Sequence, residues 1–104
     1  MYTLKNDEYK KARGGVSRIL EIVCRVCGEH ITYYQKDGPG ELKRMYADRF
    51  IDFNASGDFF YCPHCKRILG ILIDYKKESR PAYRLFVGAV SKKIVSVKTV
   101  SDIA

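Results

Sequence analysis

Four cysteines carry the chemistry legible in this sequence: Cys24 and Cys27 in CRVCG (24–28), and Cys62 and Cys65 in FFYCPHCKR (59–67). Two residues between the thiols of a pair let one tight turn aim both sulfurs at a single ion, and two such turns complete a tetrahedron. Disulfides are the alternative. The N-terminal stretch MYTLKNDEYKKARGG lacks the apolar middle of a secretory signal, and no run approaches the roughly 18 apolar residues of a membrane span. The expected compartment is therefore cytoplasmic, where thiols stay reduced and paired C-x-x-C units point to metal chemistry. A catalytic zinc normally keeps one position open for water, whereas four cysteines close the shell, so an enzyme is not expected and no small-molecule substrate is implied. His64 reads as an exposed residue of the second turn and His30 as the start of a strand. A Cys-His nucleophile would need a thiol that the metal already claims.

The four-cysteine pattern resembles the zinc ribbon, in which each pair sits at the tip of a β-hairpin, and Cys62-Pro-His-Cys65 carries the proline frequent in that family. The resemblance covers roughly residues 21 to 75 and implies one structural zinc held by Cys24, Cys27, Cys62 and Cys65. Rubredoxin shares these knuckles and binds iron with them, since thiolate ligation alone does not choose between the two metals. Rubredoxins are shorter and acidic, whereas here Arg25, Lys66 and Arg67 crowd the site, so iron is the lesser alternative. Gly28 suits the positive-φ position that closes such a knuckle, and Lys66 stands in its place in the second. A treble clef would want a helix directly after Cys65, but ILGILIDY is β-prone.

The elements that must position these thiols read as mainly β, a small α+β fold. Residues 1–15 form a loosely attached basic arm, and residues 16–104 a single domain. VSRILEIVC (16–24) and HITYYQ (30–35) are strands on either side of the first pair, and the second strand closes at KDGPG. From Glu41 to Phe50, Leu42, Met45, Tyr46, Arg49 and Phe50 recur at helical spacing, which predicts a short helix with Arg44 and Asp48 as an i,i+4 pair; an extended run through RMYADRFIDF is the alternative, since Met45, Ala47, Arg49 and Ile51 alternate cleanly in neither form. Beyond the second pair a C-terminal antiparallel meander is expected. Its first strand, 68–75, shows Leu69, Ile71, Ile73 and Tyr75 on one face; its second shows Tyr83, Leu85, Val87 and Ala89; its third, after a Ser91-Lys92-Lys93 turn, shows Val95 and Val97.

The net charge of +7 is unevenly spread. Residues 66–98 hold nine Lys or Arg against Asp74 and Glu78, while the rest of the chain balances. Four thiolates around a divalent ion would lower the total to about +5 and leave the protein basic. A local cationic excess is what a polyanion surface needs, because each neutralised phosphate releases counterions. Several of the thirteen aromatics stand beside these cations, as in Tyr75-Lys76-Lys77 and Arg80-Pro-Ala-Tyr83-Arg84, a pattern that single-stranded nucleic acid recognition uses. The expected surface comprises Lys66, Arg67, Tyr75, Lys76, Lys77, Arg80, Tyr83, Arg84, Lys92 and Lys93, and the expected partner is nucleic acid, RNA before DNA. An acidic protein partner could use the same cations, and solvated charge is the bland alternative. Phe50, Phe53, Phe59, Phe60 and Phe86 are expected in the core, whereas Tyr34, Tyr75 and Tyr83 are open to either role.

Overall fold

The computed structural model describes residues 17–38, 40–51, 53, 55, 57–75 and 80–101. The arm expected over 1–15 and Lys76 with Lys77 lie outside them. Period-2 alternation and β-branched residues make the long strands: β1 Ser17–Cys24, β2 His30–Asp37, β6 Ile68–Tyr75, β7 Arg80–Leu85 and β8 Val90–Val95. Short strands β3 Arg44–Tyr46, β4 Phe50–Ile51 and β5 Phe59–Tyr61 complete two antiparallel sheets. The first sheet runs β4-β2-β1-β8 and the second β3-β7-β6-β5. The fold is mainly β, as the sequence implies.

One apolar cluster joins the two sheets. Leu20, Ile22 and Tyr34 come from the first, and Met45, Phe60, Leu69 and Tyr83 from the second. Half-buried Phe50 packs against it, with ring centroids 5.6 Å from Tyr34 and 5.4 Å from Phe60, both edge-on. Edge-to-face pairs of this kind add about 0.5–1.5 kcal/mol beyond the area they bury. The opposite face of the first sheet is also covered: helix α1, Val97–Ser101, buries Val100 against Ile19 and Ile51. β1 is therefore apolar on both faces, which its sequence SRILEIVC reflects.

The helix expected over 41–50 is not formed. Arg44, Met45 and Tyr46 pair with Arg84, Tyr83 and Ala82 of β7, a 3-10 turn spans Ala47–Arg49, and β4 returns to β2. Met45 faces the core, while Tyr46 is covered from the other side by the Arg80 guanidinium, 4.1 Å from its ring centroid. Burial on both faces produces the two-in-a-row apolar pattern that mimics a helix turn. Asp48, expected to pair with Arg44, forms an ion pair with Arg80.

The meander holds for its first two strands only. β6 and β7 form the hairpin, but β8 crosses over to pair with β1, so Lys92 and Lys93 lie within a strand and not in a turn, and Val97 begins α1. A register irregularity opposite Phe60 and Tyr61 also resets the phase of β6. Leu69 joins the core, whereas Ile71 pairs with Phe59 on the outer face. Gly70 is required at this point, because a Cβ there would stand 2.8 Å from the Arg84 carbonyl oxygen.

Candidate metal centre

Each cysteine pair closes a hairpin. The first knuckle connects β1 to β2, the second β5 to β6, and the same hydrogen bonds recur in both. Gly28 N–H donates to the Cys24 carbonyl and Lys66 N–H to the Cys62 carbonyl, each at 2.9 Å. Cys24 N–H donates to Glu29 O at 3.0 Å and Cys62 N–H to Arg67 O at 2.9 Å. Gly28 has φ 77° and Lys66 φ 67°, so the second knuckle adopts the same left-handed step with a side chain present. That conformation costs an L-residue about 1–2 kcal/mol. A Lys66 Nζ hydrogen bond to the Pro63 carbonyl, 2.9 Å, helps to hold it.

The knuckles meet tip to tip. Cys24 Sγ lies 3.8 Å from Cys65 Sγ and Cys27 Sγ 3.6 Å from Cys62 Sγ, and all four sulfurs fall within 4.8 Å of one another. Tetrahedral ligation at a metal–sulfur distance near 2.3 Å requires sulfur–sulfur edges of about 3.8 Å. The separations are far beyond a disulfide bond of about 2.05 Å. Each knuckle gives one buried thiol, Cys24 or Cys62, and one exposed thiol, Cys27 or Cys65. His30 and His64 stand outside the donor set: His30 Nδ1 lies 2.8 Å from Glu21 Oε2, and His64 Nε2 contacts the His30 carbonyl at 3.1 Å, linking the two knuckles.

Charge explains why this cluster wants a cation. A backbone hydrogen bond at Cys27, opposed by burial, lowers Cys24 to about 7. Cys27 is pushed up to about 12: the backbone hydrogen bond at Glu29 pulls it down, but lost hydration and the thiols of Cys62, Cys24 and Cys65 outweigh that pull. One thiolate forms readily, and further ones repel it unless a metal ion neutralises them. Four closely held sulfurs are a donor set for one thiophilic ion.

The expected binding residues are dispersed. Tyr83 is 2% exposed and donates its hydroxyl to the Gly57 carbonyl at 2.9 Å, so it is a core residue and not a stacking platform. Arg80 is committed to Asp48 and the Tyr46 ring. Lys66 and Arg67 are exposed on the second knuckle, the Tyr75 side chain lies outside the described residues, and Lys93 sits across from Glu21 on the face opposite Lys92. Arg84 and Lys92 do come together. They line a groove of about 570 Å³ with Arg25, Lys43 and Arg44, against one lining carboxylate, Glu41.

Sequence reading missed Arg25, Lys43 and Arg44 in this groove, because they come from the first knuckle and from the segment expected to be helical. The groove is tied to the metal centre, since Arg25 N–H donates to Ala89 O at 3.2 Å. Cationic crowding extends beyond it: burial first, then the charges of Lys92 and Arg18, hold Lys36 below the usual lysine range. Two phenylalanines expected in the core are on the surface, Phe59 at 39% exposure and Phe86, a groove-lining residue, at 43%. Alternation around Phe60 could have shown that Phe59 and Tyr61 point away from the core.

Among the described residues no helix is long and apolar enough to cross a membrane. Compared with family models, with curated proteins and with solved structures, the chain matches none.

Proposed function

We propose that the protein is a zinc-ribbon module, not an enzyme, that binds single-stranded nucleic acid, RNA before DNA, in the cytoplasm. Zinc is the ion of this reading because four thiolates close its shell and leave a structural role. The cation-lined groove carries the functional part: five basic side chains against one carboxylate, with Phe86 beside them, suit a phosphate backbone and an apolar base edge.

The test is a fluorescence titration of zinc-loaded protein with labelled single-stranded RNA at several salt concentrations. Each phosphate neutralised on a single strand contributes about −0.7 to the slope of log K against log salt, so the five groove cations set a limit of about −3.5. The double variant Lys43→Ala, Lys92→Ala should weaken binding and reduce the slope by about 1.4. Absence of binding at low salt would overturn the reading and turn the search to an acidic protein partner. A visible thiolate-to-iron absorption in the purified protein would overturn zinc.

A further inference from the structure

The outer face of the second sheet carries an aromatic pair outside the groove. Phe59 and Tyr61 flank the buried Phe60 on β5, so both point away from the core, with exposures of 39% and 46%. Their ring centroids lie 6.0 Å apart at 62°, and Ile68, opposite Tyr61, is also exposed. Exposing two adjacent aromatic rings on an ordered strand forgoes the burial that rings usually obtain in a small domain.

Strand register shows what stands beside the pair. Phe59 faces Ile71, Ile71 faces Arg84, and Arg84 faces Arg44, so one row crosses β5, β6, β7 and β3. At strand spacings near 4.8 Å, Arg84 is about 10 Å from Phe59. Arg84 and Arg44 also line the groove, so the row runs from the aromatic pair into it. None of the four residues in the row is acidic, and Lys66 and Arg67 are exposed in the β5–β6 connection. Four cations, Arg44, Arg84, Lys66 and Arg67, thus stand along the row and at the β5–β6 connection, against one exposed neighbouring acid, Asp58, next to Phe59 in the chain.

From this juxtaposition we infer that Phe59 and Tyr61 form a base-stacking platform for the unpaired bases of a single-stranded nucleic acid whose phosphates run toward Arg84 and the groove. The inference rests on the proposed nucleic-acid function and deepens it by assigning the preference for single strands to this pair. Stacking needs a free base face, which a duplex does not offer, and it tolerates any base. Phosphate contacts at the groove are indifferent to that distinction.

The chain has no tryptophan, so Phe59→Trp places a unique reporter on the platform. Its emission should be quenched saturably by a single-stranded oligonucleotide and remain unchanged with a duplex of the same sequence. Phe59→Ala, Tyr61→Ala should lower single-strand affinity by about tenfold or more, leave duplex affinity unaltered, and retain metal and melting temperature. Lys43→Ala, Lys92→Ala should weaken both ligands alike. Binding that stays salt-dependent and sensitive to the groove variant, but indifferent to Phe59 and Tyr61, would overturn the platform alone. No oligonucleotide bound by the wild type at low salt would overturn both readings. Loss of self-association in the alanine variant, with nucleic-acid affinity unchanged, would give the face to a second copy of the chain and overturn the platform.

Discussion

Gly28 and Lys66 occupy equivalent steps of the two knuckles, and they show how local backbone demand meets metal chemistry. No atom lies within 4 Å of a Cβ built on Gly28, so Gly28→Ala meets only the left-handed φ of 77°. The expected loss is about 1 kcal/mol in chemical denaturation, with metal still bound. Replacement of Cys24 or Cys65 by Ser removes one of the four sulfur donors of the proposed zinc site and should lose the metal and much of the folded signal by circular dichroism. Tyr34 tests a different residue-scale bond. Its buried hydroxyl accepts the Tyr46 N–H at 2.6 Å, and Tyr34→Phe should cost about 1–3 kcal/mol by removing that acceptor from a buried site. Burial also holds the Tyr34 phenol above its usual range, so the folded state keeps the proton when an unfolded tyrosine, near 10, has lost it. The tyrosine contribution to stability should be flat below about pH 10 and fall above it, by up to about 1.4 kcal/mol per pH unit for each such tyrosine. Tyr83 is shifted in the same direction by burial. Tyr34→Phe should flatten that decline by one group, as read from denaturation midpoints between pH 9 and 11.

Elements differ in how far their sequence betrays them. The knuckles were legible because metal ligation requires particular atoms at a fixed spacing, and that requirement leaves little room for tertiary override. The segment 41–50 was not, because its partners are distant: Tyr46 is buried by Arg80 and Arg49 by Asp37, each more than ten residues away. An arginine at helical spacing gives no sign that it will be 2% exposed. Arg49 Nη2 lies 3.2 Å from Asp37 Oδ2, and Ser17 Oγ donates to Asp37 Oδ1 at 2.6 Å, so the 3-10 turn is pinned to β1 and β2 by a fully buried ion pair. Asp37→Ala breaks this buried ion pair and should cost about 3–5 kcal/mol in denaturant midpoint analysis. The crossover of β8 was equally hidden, since Val-x-x-x-Ile-Val suits a third meander strand as well as a partner for β1. The candidate surface inherited these errors, which is why Tyr83 proved to be core and Phe59 surface.

At the scale of the molecule, the four-sulfur cluster joins the two sheets. The first knuckle belongs to the first sheet and the second knuckle to the second, so one ion bound there would cross-link the sandwich at one end, and Arg25 couples that end to the groove. Structural zinc contributes about 10–16 kcal/mol in small zinc-finger peptides near neutral pH, comparable with the whole stability of a domain of this size. The most direct test is native mass spectrometry of the purified protein, with its melting transition followed before and after chelation. One zinc per chain is expected, lost as the thiolates protonate on acidification, with a cooperative transition that collapses when zinc is removed. A metal-free chain with the same transition, or a chain four hydrogens lighter with two disulfides, would contradict this.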